Sequence, residues 1–227
     1  MSHRENIARI KAVHYALEEL AREVVFVGGA TVSLYSTRPE TETRPTDDVD
    51  IVIELLHYRD YAVLEEKLRS KGFVNDVQSG VICRYTIHGI TVDVMPTSEN
   101  VLGFVNKWYP AAYAHAISVN LEEGLSVRIF SAPYFLATKL EAFVDRGENE
   151  GRFSTDFEDI VHVLNNRLTV WEEINAADES VKRYLKDEFA KLLEQKYIDE
   201  WISVHLEYSE QKRVGFIIGS MSDFVGN

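Results

Sequence analysis

The spacing of apolar and polar positions changes several times along the chain, and each change predicts an element. Ile7, Ile10, Val13, Leu17 and Leu20 recur at steps of three and four, so residues 4–22 form a helix with one apolar stripe that packs on a sheet. Residues 24–27 (Val-Val-Phe-Val) are an unbroken apolar run, the mark of a short buried strand, and the run stops at Gly28-Gly29. A helix-like stretch from Ala30 to Tyr35 follows. Residues 36–45 then contain Ser36, Thr37, Pro39, Thr41, Thr43 and Pro45, which is loop chemistry with no apolar period. A β-branched run headed by Asp48 and Asp50 predicts the next strand, through Ile53.

Further on, Tyr61, Leu64 and Leu68 predict a helix over about 58–71, closed by Lys71-Gly72. Residues 81–87 and 90–95 alternate around His88-Gly89, which predicts a β-hairpin with a two-residue turn. Residues 96–125 read as irregular and rich in aromatic side chains, with Trp108, Tyr109 and Tyr113 either lining a pocket or packing beneath a connection. A strand is expected over 125–129.

From there the pattern is helical. Ser131-Ala132-Pro133-Tyr134 opens a helix with a capping hydroxyl and a first-turn proline, and Leu136, Leu140, Phe143 and Val144 form its stripe. Lys139 lies beside that stripe, so its ammonium is expected to be partly shielded and aimed along a groove, with Arg146 on the same side. Residues 147–151 form a polar break, and Ser154 starts another helix with acids in its first turn. Helices are expected at 178–195 and 197–213, and residues 214–227 read as an apolar tail interrupted by glycines. The chain therefore divides into an α/β (α+β) domain over 1–130, a mixed sheet flanked by helices, and a helical bundle over 131–227.

At 227 residues and 45% hydrophobic the chain has ample material for a core. Its net charge of −13 weighs against a protein that coats nucleic acid non-specifically, since such binding draws on many phosphate contacts. Any nucleic-acid contact is then local. The single cysteine, Cys83, has no internal partner for a disulfide and reads as a packed thiol. No secretion signal opens the sequence and no apolar run reaches the ~20 residues needed to cross a bilayer, so a cytoplasmic protein without a membrane partner is expected.

The chemistry concentrates at the head of the second strand. Side chains at i and i+2 of a strand share a face, so the carboxylates of Asp48 and Asp50 converge. Two like charges that close repel unless something positive lies between them, and a divalent cation is the natural candidate. Asp93, a lone acid in an apolar strand, is either an exposed-face residue or the third ligand. Asp47 points away, as a loop residue or a partner for Arg44, which itself either reaches a phosphate or is solvated. Thr46 is placed to orient the first acid of the strand through its hydroxyl. Gly28 and Gly29 allow positive φ and close approach of backbone N–H groups to a phosphate, with the N-terminus of the next helix adding positive charge. Asp156 either favours its helix N-terminus or pairs with Lys139 near a nucleotide.

A Gly-Gly turn leading to a helix, Asp-x-Asp on one strand and a third Asp on a later strand is the pattern of the nucleotidyltransferase superfamily. Within it the chain resembles the AbiEii/AbiGii toxin-type nucleotidyltransferases, across about residues 24–165. The Arg-x-Thr-x-Asp-x-Asp motif is matched by Arg44-Pro45-Thr46-Asp47-Asp48-Val49-Asp50, and the Lys-Leu-x-Ala-x-x-x-Arg motif by Lys139-Leu140-Glu141-Ala142-Phe143-Val144-Asp145-Arg146. The last motif keeps both acids in Asp156-Phe157-Glu158-Asp159, but Thr155 replaces its leading arginine, a contact for which Arg152 could substitute.

This resemblance implies a polymerase-β-like domain followed by a helical bundle, with the nucleotide held between them. It implies transfer of NMP from an NTP to an acceptor hydroxyl with two Mg²⁺ ions, or Mn²⁺ in their place. By position, Asp48, Asp50 and Asp93 are metal ligands, Lys139 meets the triphosphate and Asp156 is an active-site acid. Gly28, Gly29, Thr46 and Arg146 complete the nucleotide contacts. The family further implies a toxin with a cognate antitoxin and a tRNA or protein acceptor. Two alternatives stand beside it: a small-molecule nucleotidyltransferase of the antibiotic-modifying type, and a non-catalytic nucleotide-binding module.

Overall fold

In the computed structural model, the residues described are 2–38, 43–55, 57–103, 105–146 and 150–226. The fold class is mixed α/β, with one seven-stranded sheet and a set of C-terminal helices. The chain divides into two units, one of Met1–Leu34 with Glu42–Ser131 and the other of Tyr35–Thr41 with Ala132–Asn227.

The first unit holds the sheet. Helix α1 (Ser2–Leu17) continues as a 3₁₀ turn, Glu18–Arg22, and buries Ile10, Val13 and Leu17, the predicted stripe. It packs on strands β2 (Asp48–Ile53) and β5 (Ile90–Pro96). Strand β1 (Val24–Val27) is buried at every position, as its unbroken apolar run requires. Helix α2 (Tyr58–Ser70) buries Tyr61, Leu64 and Leu68 and ends at Gly72 in a positive-φ conformation. Strands β3 (Val74–Asn75), β4 (Arg84–Ile87), β6 (Ile117–Glu122) and β7 (Leu125–Ile129) complete the sheet, in the order β3-β4-β5-β2-β1-β7-β6. The pairs β2–β5 and β1–β7 are parallel and the other neighbours antiparallel.

Several expectations are refined or corrected here. The helix-like stretch expected after Gly28 is helical, as a seven-residue 3₁₀ helix, Gly29–Tyr35. Thr31 accounts for its start, because both its N–H and its hydroxyl donate to the Gly28 carbonyl, the i→i+3 closure. So short a helix supplies little of the positive N-terminal field expected of it. The hairpin's first strand begins at Arg84 rather than at residue 81, since the Arg84 N–H closes a turn on the Val81 carbonyl. Residues 96–125 are more ordered than expected. They hold helices α3 (Glu99–Leu102, capped by the Ser98 hydroxyl) and α4 (Tyr109–Ala114, with Pro110 in its first turn), then β6. Tyr109 packs against Phe130 and the Tyr113 hydroxyl donates to the Glu23 carbonyl, so both rings are structural. Of the expected loop at 36–45, residues 39–42 lie outside the described residues, as do residues 147–149 of the expected polar break.

The second unit is helical: α5 (Ala132–Asp145), α6 (Thr155–Asn166), α7 (Val170–Ala176), α8 (Glu179–Leu193), α9 (Ile198–Val204) and α10 (Arg213–Gly226). Helix α5 is buried at every position from Ala132 to Leu140 and packs on α6, α7 and α8. Phe143, Phe157 and Trp201 form one aromatic cluster and Trp171, Phe189 and Phe224 another. The single helix expected over 197–213 breaks after Val204. There the Gln211 side-chain amide donates to the carbonyls of Ser203 and Leu206, taking acceptors that a continuous helix would have used. The expected tail is helix α10, held by Ile217, Met221 and Phe224 on one buried face. No helix among the described residues is long and apolar enough to cross a membrane.

Candidate metal centre and the buried charge group

Pairing of β2 with β5 sets Asp50 beside Asp93 and Asp48 beside Thr91. Register partners on adjacent strands face the same way, so all three aspartates share one face of the sheet. Each offers a carboxylate oxygen within 4.8 Å of the others. Asp93 is buried, whereas Asp48 and Asp50 are half-buried. Three anionic, hard oxygen donors this close suit a hard divalent cation such as Mg²⁺ or Mn²⁺, and burial raises the cost of leaving their charge unbalanced. The donor set therefore fits a metal ion.

Two features around the triad lie outside the expected site residues. Arg84 on β4 is the register partner of Asp93, and its guanidinium grips that carboxylate at both ends, Nε to Oδ1 at 2.8 Å and Nη2 to Oδ2 at 2.7 Å. The Asp93 hydrogen bonds hold Arg84 above even the usual arginine range, against the opposing effect of burial. The beginning of the motif is also fixed from outside. Asn6, fully buried on α1, donates to the Arg44 carbonyl and accepts from the Thr46 N–H, while Arg9 donates to the Thr46 carbonyl.

Thr46 is buried, and its hydroxyl donates to the main-chain carbonyl of Asp48 at 3.2 Å rather than to the carboxylate. Asp47 is exposed and pairs with Arg9 at 3.7 Å, not with Arg44. Cys83 is the packed thiol expected, and burial together with the Asp93 charge pushes it up to about 11.

The glycine pair turns against the same face. Gly28 has φ +69, and a Cβ built there would meet the Asp50 carboxyl, with Cγ 2.8 Å away. A Cβ on Gly29 would meet the Arg44 guanidinium and Thr46 Cγ2, the latter at 2.7 Å. Both positions thus exclude a side chain because motif residues already occupy the space. This also sets the Arg44 guanidinium against the Gly29 backbone.

The remaining predicted site residues lie in the second unit. Lys139 on α5 is buried and pairs with Asp156 (3.0 Å) and Asp159 (2.6 Å), which share a face one turn apart at the start of α6. Arg146 reaches the other oxygen of Asp156 at 2.6 Å. Burial opposes the charge on Lys139, but Asp159 and Asp156 outweigh it and hold the ammonium above its ordinary range. The expected partly shielded lysine aimed along a groove is corrected to a buried one held by two carboxylates. Arg152, the expected stand-in at the motif's missing arginine, pairs with Glu150 (2.6 Å) and Glu200 (2.9 Å). One turn beyond Asp159, His162 accepts or donates at 2.8 Å to the Ser36 hydroxyl, and burial pushes its pKa down to about 4.

The structure thus gathers Asp48, Asp50 and Asp93 in one group and Lys139, Arg146 and Asp156 in a second. Asp159 and Arg84 belong to these groups although neither stood among the expected site residues. In comparisons with known proteins, the chain matches no family model and no curated protein sequence.

Proposed function

We propose that the protein is a metal-dependent nucleotidyltransferase moving NMP from an NTP to an acceptor hydroxyl. The observation that carries this reading is the convergence of Asp48, Asp50 and Asp93 on one sheet face beside the Gly28-Gly29 turn. A divalent cation held by these three carboxylates would neutralise phosphate charge and lower the pKa of the attacking hydroxyl. The acceptor oxygen attacks the α-phosphorus, the bond to the bridging oxygen breaks, and pyrophosphate leaves as the hydroxyl proton is released. The chain's own groups position and neutralise, with no covalent intermediate. Arg44, whose guanidinium lies against the Gly29 backbone, is proposed as a phosphate contact on the motif resemblance. The motif resemblance assigns Lys139 a contact with the triphosphate; in its own unit the ammonium is held by Asp156 and Asp159.

The motif resemblance extends the proposal to a cytoplasmic toxin with a cognate antitoxin, acting on tRNA or protein. Incubating the protein with each α-³²P-labelled NTP, Mg²⁺ and a bacterial lysate tests both parts, beside an Asp48→Ala, Asp50→Ala double variant. Label in an RNA or protein band with the wild type alone supports the reading and identifies the acceptor class. Label confined to small molecules would replace that acceptor with an antibiotic-type hydroxyl. A non-catalytic nucleotide-binding module is favoured by one observation, the engagement of both Asp93 oxygens by Arg84, and it becomes the better account if nucleotide binds and nothing is labelled.

A further inference from the structure

Asn6 is a polar side chain on the buried stripe of helix α1, one turn before Ile10, and it is fully buried. A carboxamide taken out of water is costly unless it is hydrogen-bonded. Its bonds go to the chain just ahead of β2. The Asn6 Nδ2 donates to the Arg44 carbonyl at 3.1 Å, and its Oδ1 accepts from the Thr46 N–H at 3.2 Å. Pro45, between them, has no N–H to offer, so the amide grips the residues on either side of it as a neighbouring strand would.

The place it grips is where the hold of the sheet weakens. Strand pairing secures Asp50 from both sides, against Val27 and Asp93, but among the described residues it reaches Asp48 only from β5, against Thr91. On the other side β1 has ended, and the chain turns at Gly28 with φ +69. The end of β2 that carries Asp48 is instead steadied from ahead: Asn6 fixes Thr46, and the Thr46 hydroxyl donates to the Asp48 carbonyl at 3.2 Å. Arg9, three residues beyond Asn6 on the same helix, adds a bond to the Thr46 carbonyl.

We propose that Asn6 is a positioning residue for the cation site, setting the main chain of Asp48 so that its carboxylate reaches those of Asp50 and Asp93. This rests on the reading of the triad as a cation site. Asn6 acts through Thr46 and is not itself a ligand. Loss of a group that holds a metal ligand in place typically weakens binding by about 10–100-fold, and a link that runs through a second residue belongs at the lower end.

Mn²⁺ binding to the full chain, read by the loss of the free-ion electron paramagnetic resonance signal, tests this without any transfer reaction. Wild type is compared with Asn6→Ala, Thr46→Val and Val13→Ala, each melted to establish that it is folded. Val13 is fully buried on the same helix, so Val13→Ala loosens the packing of α1 while keeping the hydrogen bonds of Asn6. Asn6→Ala is expected to weaken Mn²⁺ binding by about tenfold, whereas Val13→Ala lowers the melting temperature and leaves the affinity unchanged. Unchanged affinity in folded Asn6→Ala, or an equal loss in Val13→Ala, overturns the inference while leaving the cation site intact. If Asn6→Ala does not fold, Thr46→Val decides, since it removes the hydroxyl link to Asp48 and nearly keeps the shape: weaker binding supports the inference and unchanged binding overturns it. Absence of Mn²⁺ binding by the wild type overturns the cation site itself, and with it this inference.

Discussion

Each glycine of the turn is required by a particular neighbour. Gly28 adopts φ +69, and its missing side chain is where the Asp50 carboxyl lies. Gly28→Ala should therefore cost about 1–3 kcal/mol in backbone strain, and it should also push Asp50 out of the triad. Urea unfolding and Mn²⁺ titration on the same sample should both change. A loss of stability with cation affinity intact would show that Asp50 is not a ligand. Lys139 makes a second residue-scale case. Its ammonium is the buried counter-charge of Asp156 and Asp159, so Lys139→Met leaves two buried carboxylates short of a partner. Removing one member of a buried pair typically costs about 3–5 kcal/mol. Urea melts should show a loss of that order, and a Lys139→Met protein as stable as the wild type would contradict the burial described.

At the scale of elements, helix α6 unites chemistry with structure. Its first turns carry Asp156 and Asp159, and its far end is capped by chain from the loop before β2. The N–H groups of Thr37 and Arg38 both donate to the Asn166 carbonyl, and the Thr37 hydroxyl accepts from the Leu168 N–H. Between the two ends lies His162 on Ser36. Its folded pKa is depressed from the model-peptide value of 6.5 to about 4, so the unfolded chain takes up a proton first as pH falls. This contribution is fully present above pH 6.5 and is lost as pH falls towards 4, at most about 3 kcal/mol. Accordingly, His162→Gln should lose less stability than the wild type between pH 7.5 and pH 5, measured by urea unfolding at each pH. Parallel losses in the two proteins would place the acid sensitivity elsewhere.

These elements also show what the chain alone could reveal. The Asp-x-Asp pair was legible because the strand period puts i and i+2 on one face, and β1 because four apolar residues end at a glycine pair. Arg84 was legible in principle. A two-residue turn at His88-Gly89 pairs Ile87 with Ile90, and counting outward sets Arg84 opposite Asp93. The alternation in β6, with Ile117, Val119 and Leu121 separated by Ser118 and Asn120, was likewise present but hidden among aromatic residues. The break between α9 and α10 depends on a glutamine side chain returning to main-chain carbonyls, which no apolar period reports. The burial of Lys139 depends on α5 being enclosed by three other helices, a tertiary fact outside its own sequence.

For the whole molecule, two properties bear on what it acts upon. The net charge of −13 gives no general attraction to a polyanion, so recognition of an acceptor RNA would rest on local contacts. The two groups of charged residues lie in different units, and the second unit includes chain that runs between β1 and β2, so neither unit is one continuous segment. The central claim is that the aspartate triad transfers a nucleotidyl group. Its most direct test is a pair of reactions with the intact protein, Mg²⁺ and a bacterial lysate, one with α-³²P-labelled and one with γ-³²P-labelled NTP. The account predicts label on an acceptor from the α-labelled nucleotide only, with the γ label released as pyrophosphate. Transfer of the γ label, or no transfer of either, would contradict it.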